Sequence, residues 1–343
     1  MTLRILMVTF LLVAGSLPGY AESGAKKSNT GAHRDDDLTV SKKRVLWKAP
    51  TDIADRNLFW GPGGTADQPH SPYTFSKEDG SGSNPKFEIV DKDGVKWKAK
   101  LGREARPETV ASRLVWAAGY FADEDYFLPK MRVEGFPLRL RRGQNLIKEA
   151  GVVENVRLKR ARSGKSVGPW KWKDNPFRET REGHGLRVLM ALLNNWDLKD
   201  ENNVKLAKGK EGEDGELIYM VSDLGATFGT TGFTLRPSRS RGNLAEYARS
   251  NFISKTHKKY VDFATPGTAS VFMFLTPGFY QRLTLLSIGD RIPIEHAKWI
   301  GDILGRLSAN QIEDAFRAAD YSPSDAVKFR EVVQKRVREL QKL

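Results

Sequence analysis

The 343-residue chain contains no cysteine. That excludes a disulfide framework, thiol catalysis and attachment of a lipid to a cysteine. Histidine is nearly as scarce: His33, His70, His184, His257 and His296 form no H-E-x-x-H and no other paired spacing that holds a metal. No G-x-S-x-G occurs, which removes the nucleophile elbow of the serine hydrolases. Glu179 and Glu182 have the residue type of a glycosidase pair, but nothing sets them across a sugar. The apolar run from Ile5 to Ala14 is ten residues, too short to cross a bilayer.

That run has another reading. Arg4 precedes it and Gly19-Tyr20-Ala21 follows as a small-x-small cleavage site, so residues 1–21 are expected to be a cleaved secretory signal. The protein is then exported, either periplasmic or secreted. Residues 22–45 are polar and aperiodic and are expected to be a flexible linker. The formal net charge of +14 favours anionic partners. From Arg157 to Lys173 there are seven basic residues and no acid, with Trp170 and Trp172 between them, and Arg139, Arg141 and Arg142 form a second knot. The segment 157–173 reads either as a solvated loop face or as a contact for an anionic polymer, an acidic phospholipid or an acidic protein. No nucleic-acid motif accompanies it, which argues against DNA or RNA.

Local patterns outline the elements. Lys86–Val90 and Val95–Leu101 alternate around Asp93-Gly94 and predict a hairpin. Pro107 opens an element in which Val110, Leu114, Ala117, Ala118 and Phe121 recur at helical spacing, predicting a helix over 107–121. Leu186–Leu193 is almost wholly apolar and predicts a buried helix. Val204–Leu206 and Leu217–Val221 are strand candidates, and the C-terminal third is expected to be helical. Ser308 with Gln311, and Ser322 before Pro323, supply N-cap signals there.

The buried helix delivers the chain into Asn194-Asn195-Trp196-Asp197-Leu198-Lys199-Asp200-Glu201-Asn202, and Ser222-Asp223-Leu224-Gly225 follows the strand candidates. Phosphoryl transfer needs these residue types: a carboxylate to orient the attacking hydroxyl, a cation on the moving phosphoryl, and oxygen donors for Mg²⁺. The run resembles the protein-kinase catalytic loop, and Asp223-Leu-Gly resembles its metal-binding Asp-x-Gly. Asn195 and Trp196 stand where that pattern has His and Arg. Upstream, Lys100-Leu101-Gly102 with Glu108 is similar to the phosphatidylinositol-kinase group, where Lys-x-Gly precedes an acidic residue.

The chain from about 84 to 230 thus resembles the atypical kinase-like group, which includes phosphatidylinositol kinases, HipA-type kinases and secretory-pathway kinases. The resemblance implies an α+β, two-lobed kinase-like fold, with a small mixed β-rich N-lobe over 46–130 and a larger helical C-lobe over 131–343. It implies ATP and Mg²⁺ as cofactors and an unidentified hydroxyl acceptor. Asp197 and Lys199 would be catalytic, Lys100 and Glu108 (or Lys98, on the same strand face) would bind nucleotide, and Asn202 and Asp223 would hold metal. No G-x-G-x-x-G precedes Lys100; Gly61–Gly64 and Gly80–Ser83 are the candidate phosphate loops. Export and ATP pull apart, because ATP is scarce outside the bacterial cytoplasm. The alternative is a degenerate kinase-like module that binds an anionic cell-envelope component or a partner protein.

Overall fold

A computed structural model describes residues 43–80, 84–162, 164–195, 197–209, 215–230, 241–265 and 287–343. The expected signal at 1–21, most of the linker, Ser81–Ser83 and Trp196 lie outside the described residues. The linker ends earlier than expected, because Lys43–Val45 form strand β1.

β2 (Tyr73–Asp79), β3 (Lys86–Val90) and β4 (Lys96–Leu101) make an antiparallel meander, followed by helix α1 (Ala105–Ala117) and then β5 (Asp125–Glu134) and β6 (Val152–Arg160). The order β2-β3-β4-β6-β5 closes into a barrel, with β2 pairing in parallel to β5 at Tyr73 opposite Val133. The strand period of two decides which side chains fill it. Phe87, Ile89, Trp97, Ala99 and Leu101 join Val156 and Leu158 in one buried cluster. Lys96, Lys98 and Lys100 therefore face outward. Lys96 and Lys98 are exposed, whereas Lys100 is buried. The β3–β4 turn is fixed by Asp91, whose Oδ1 accepts from the Asp93 and Val95 amides and whose Oδ2 accepts from the buried Trp97 Nε1.

α1 starts two residues before Pro107, which sits in the first turn where its missing N–H has no helical partner to lose. The helix stops at Ala117 and does not reach 121, for a reason readable in Gly119. Its φ of 92° is left-handed, and Gly119 N–H donates to Trp116 O while Tyr120 N–H donates to Val115 O. This is the Schellman ending, and a glycine supplies it without strain.

The barrel continues to Arg160, so a lobe boundary near residue 130 falls inside β5. The basic run starting at Arg157 begins as the end of a barrel strand, with Arg157 buried, whereas Lys165, Lys171 and Lys173 further along it are exposed. Trp170 and Trp172 are buried, Trp170 Nε1 donating to Met220 O at 2.8 Å. The second basic knot folds onto the barrel, where the Arg141 and Arg142 amides donate to the Glu78 carboxylate.

The rest of the described chain comprises β7 (Lys165–Ser166), α2 (Arg181–Leu192), β8 (Asn203–Lys208), β9 (Glu216–Val221), α3 (Leu244–Arg249), β10 (Ile253–Thr256), β11 (Tyr260–Phe263), β12 (Ile292–Pro293), α4 (Ile294–Gly305), α5 (Ala309–Arg317) and α6 (Pro323–Gln341). Two small sheets interrupt the expected helical region, in the orders β1-β9-β8-β7 and β10-β11-β12. The α+β, two-part architecture is as expected: a β-barrel with one helix, then a mostly helical part. Val188–Leu192 of α2 are apolar and buried and lie at the centre of the larger core, joined by Ile300 and Leu304 of α4 and Phe329 and Val333 of α6. The capping box at Ser308 and Gln311 and the Ser322 cap with Pro323 in the first turn are both formed.

Arg336 of α6 is buried without a carboxylate. Its Nη1 donates to Leu192 O at 2.8 Å and Asn194 Oδ1 at 3.1 Å, and its Nη2 donates to Tyr247 O and Ser250 Oγ. The guanidinium thus closes the carbonyl end of α2, where the helix dipole favours a cation.

Gly119→Ala should destabilise the protein by at least about 2 kcal/mol, since it combines a left-handed backbone with a new Cβ that meets the Lys48 carbonyl. Urea denaturation of the two proteins at matched m-values measures this.

Candidate active site

Lys100 and Glu108 come together because β4 runs into α1 across a short turn and α1 folds back over the strand's outer face. Lys100 Nζ lies 2.9 Å from Glu108 Oε2, 2.6 Å from Glu104 Oε2 and 2.5 Å from Asp223 Oδ1. The last contact spans 123 residues and joins the barrel to the hairpin β8–β9. Glu108 continues the chain of charges, with Arg157 Nη2 at 2.9 Å from its Oε1 and Arg157 Nε 3.6 Å from Asp125 Oδ1. Lys100, Glu108, Arg157 and Asp125 are each at most 3% exposed.

Burial disfavours every charge here, and the alternation of sign overrides it at most positions. Burial would lower Lys100, but Glu108, Asp223 and Glu104 raise it above the usual lysine range. Burial raises Glu108, and Arg157 and Lys100 bring it below its ordinary value. Asp223 is likewise raised by burial and then held down at about 2 by Lys100. Asp125 goes the other way: burial, with Glu108 and Asp123 nearby, lifts it to about 7 despite Arg157.

Asp223 has φ of 53°, a left-handed backbone that a non-glycine residue adopts at some cost. Gly225 explains the glycine of the motif, since a Cβ there would collide with the Glu104 side chain. A second ionic cluster secures the residue before Asp223. Ser222 Oγ donates to Asp123 and accepts from Arg162 Nη2 at 2.8 Å and Lys159 Nζ at 3.1 Å, while Arg162 and Lys159 also bind the Asp123 carboxylate. Burial raises Asp123, and Lys159 and Arg162 drive it far below the carboxylate range.

The other half of the constellation is the loop after α2. Asn194, at φ 54°, ends the helix in the same way Gly119 ends α1, with Asn194 N–H to Ala191 O and Asn195 N–H to Met190 O. Its side chain is fixed by Gly229 O, Ser250 Oγ and Arg336. Asn195 Oδ1 accepts from the Asp197 amide, Asn202 Nδ2 donates to Asp197 O at 2.8 Å, and Lys199 Nζ lies 2.9 Å from Asp197 Oδ1. The strand candidates after the loop form the hairpin, with Asn203 opposite Val221. Ser222 N–H donates to Asn202 O at 2.9 Å, so Asn202 and Asp223 leave the same end of the hairpin.

Six of the seven expected residues therefore fall into two groups tied through that hairpin end. Lys100, Glu108 and Asp223 are in direct contact; Asp197, Lys199 and Asn202 form the adjoining loop. Lys98 is apart, 52% exposed and facing Asp79 at 3.5 Å and Glu88 at 3.8 Å. It lines a cavity of about 270 Å³ on the same outer face, together with Lys159 and Arg162. Of the candidate phosphate loops, Gly61–Gly64 packs against Arg113, Glu124 and Tyr126, with no contact to Lys100 among the described residues. Gly80 and Asn84 flank the other, and Asn84 Nδ2 donates to Glu104 Oε2 at 2.6 Å. Sequence reasoning missed Glu104, Asp123, Arg157 and Arg162 as site-forming. A signal existed in the acidic run Asp123-Glu124-Asp125, which the β5–β6 register sets against the basic one, Asp125 opposite Lys159.

The donor set suits a hard divalent cation. Asp223 offers carboxylate oxygens, and since Asn202 commits its Nδ2 to Asp197 O, its Oδ1 is left as an acceptor.

No protein-family model matches the chain, and no curated protein matches it. Among solved structures, the chain is similar to a Helicobacter pylori proinflammatory kinase, CtkA, at a TM-score of 0.42 and 10% identity, over 78% of this chain and 93% of that one. At that level the likeness carries no functional argument, and the residues must supply it.

Lys100→Met should cost about 3 kcal/mol by leaving buried carboxylates without their shared cation, whereas Lys98→Met should stay within about 0.5 kcal/mol. Urea midpoints distinguish the two. Because Asp223 is held below its unfolded value, its stabilisation is present above about pH 4 and lost as pH falls toward 2. Asp223→Asn should flatten that acid limb in the same denaturation series.

Proposed function

We propose that the chain is a kinase-like phosphotransferase that moves a phosphoryl group from Mg-ATP to a hydroxyl acceptor. The observation that carries this reading is the Lys100 ammonium held at once by Glu108 of α1 and Asp223 of the hairpin. Catalysis of such a transfer is chiefly positioning and electrostatic stabilisation of the transition state, which is what this arrangement offers. Lys100 binds the nucleotide phosphates, and Glu108 keeps the ammonium aimed. Asp223 and the Asn202 amide oxygen hold Mg²⁺, which when bound neutralises phosphate charge. Asp197 orients the acceptor hydroxyl and accepts its proton, and Lys199 lies beside it to meet the transferred group. The nucleotide lies along the outer face of β4, its phosphates at Lys100 and its base toward the cavity beside Lys98.

One observation favours the alternative, an exported module that binds an anionic envelope component without turnover. Lys100 is already surrounded by three carboxylates, which would have to yield before a phosphate could approach. Cell fractionation of the tagged full chain tests the export on which that alternative depends.

Thermal unfolding with and without Mg-ATP separates the readings. Mg-ATP at a hundred times its dissociation constant should add about 2.7 kcal/mol, with a rise in midpoint that requires Mg²⁺ and is lost in Asp223→Asn. No rise with ATP or GTP, together with salt-sensitive polyanion binding unaffected by Asp223→Asn, would establish the binding module instead.

A further inference from the structure

A second cavity, of about 550 Å³, lies at the other end of α2. His184 lines it and is ten residues before Asn194, so the helical rise places the two about 15 Å apart. Its walls come from α2, the segment before α2, the 3-10 turn Ser287–Gly289, β11, β12 and the first turn of α4.

The cations facing this cavity are poorly matched by acids. Arg187 donates from Nε to Ile288 O and from Nη2 to Asp290 O, both main-chain carbonyls, and makes no ion pair among the described residues. Burial lowers it to about 10, outweighing the nearby Glu179 and Asp290 carboxylates, neither of which pairs with it directly. Arg291 likewise pairs with no carboxylate among the described residues; its guanidinium lies over the Tyr260 ring, 5.1 Å from the centroid. Lys173 also has no ion pair among the described residues. Arg178 is matched by Glu179 at 3.0 Å, which leaves Asp290 as the acid against three cations among the described lining residues.

Two imidazoles add a donor. His184 Nδ1 and His296 Nδ1 are 3.0 Å apart, so one must donate to the other. The accepting ring, if neutral, then carries its proton on Nε2. Neither Nε2 is within hydrogen-bond reach of an acid, with Glu179 at 3.8 Å from His184 and Glu295 at 3.6 Å from His296. Trp172, 5% exposed, also lines the cavity, and its buried Nε1 has no partner among the described residues. Unmatched guanidinium groups, an ammonium and an imidazole N–H around one concavity are the donor set of an oxyanion site.

We propose that this cavity binds a small molecule bearing a phosphate or carboxylate group, separately from the phosphoryl-transfer site. The inference does not depend on that site being active. Arg291 and Lys173 meet the oxyanion from the open side, Arg187 from the floor, and the His184–His296 pair contributes one N–H.

Isothermal titration of the full chain with inorganic phosphate, and separately with citrate, tests the proposal. At least one probe should bind saturably in the millimolar range or tighter, and the stronger one identifies the head group. Arg291→Glu and Lys173→Glu are surface changes that leave the core intact, and each should weaken binding at least tenfold. Lys100→Met should leave it unchanged. Absence of saturable binding by both probes, or binding indifferent to both charge reversals, would overturn the proposal. Loss in Lys100→Met with retention in Arg291→Glu would also overturn it, by assigning the oxyanion to the other site.

Discussion

The burial of Lys100 constrains the rest of the site. An ammonium 1% exposed has no water to solvate it, and an unpaired charge in that position costs several kcal/mol. Its three carboxylates come from the α1 entry turn, from α1 itself and from the end of β9. The barrel, the helix and the hairpin must therefore be in register before the charge is satisfied. Arg157 extends the same requirement to β6, because Glu108 has two oxygens and gives one to each cation. The alternating series ends at Asp125, where burial, with Glu108 and Asp123 nearby, outweighs Arg157 and Lys159 and raises the proton affinity to about 7. Such a series specifies geometry more than it adds stability. A hydrophobic replacement would bury as well but would hold nothing in place for chemistry.

Local signals in the sequence were strong where one residue type has one physical use. The Asp93-Gly94 turn, the Ser308 and Ser322 caps, the apolar helix before Asp197 and the hairpin after it were all legible for that reason. The ends of helices were less so. Gly119 lies inside the apolar spacing that predicts a helix to Phe121, and its left-handed backbone ends the helix before it. The order of Lys100, Glu108, Asp197, Lys199, Asn202 and Asp223 was readable because each position belongs to a pattern with a chemical rationale.

What could not be read was pairing at long range. Seven basic residues without an acid match a solvated face, yet Arg157, Lys159 and Arg162, on and just after β6, meet Glu108 of α1 and Asp123 and Asp125 at the start of β5, partners that only the tertiary fold brings together. The same limit placed the lobe boundary within β5, because nothing local announces that a tenth residue of a strand will close a barrel. Lys98 and Lys100 show the limit at its smallest scale. They share a strand and a face, and only the position of α1 makes one a buried hub and the other a surface cation.

Arg336 bears on how the molecule is made. Beside Tyr247, Gly229 and Ser250 it helps to hold Leu192 O and the Asn194 side chain at the head of the loop, yet it is 142 residues downstream of Asn194. A nascent chain that has emerged as far as the hairpin already carries every member of the charge series and the whole Asp197 loop. Its α2 still ends in unsatisfied carbonyls, with the asparagine free to turn away. Vectorial folding during synthesis can thus assemble the barrel early, while the loop stays unset until α6 arrives. A helix made well over a hundred residues after the loop is thus among the elements that hold it.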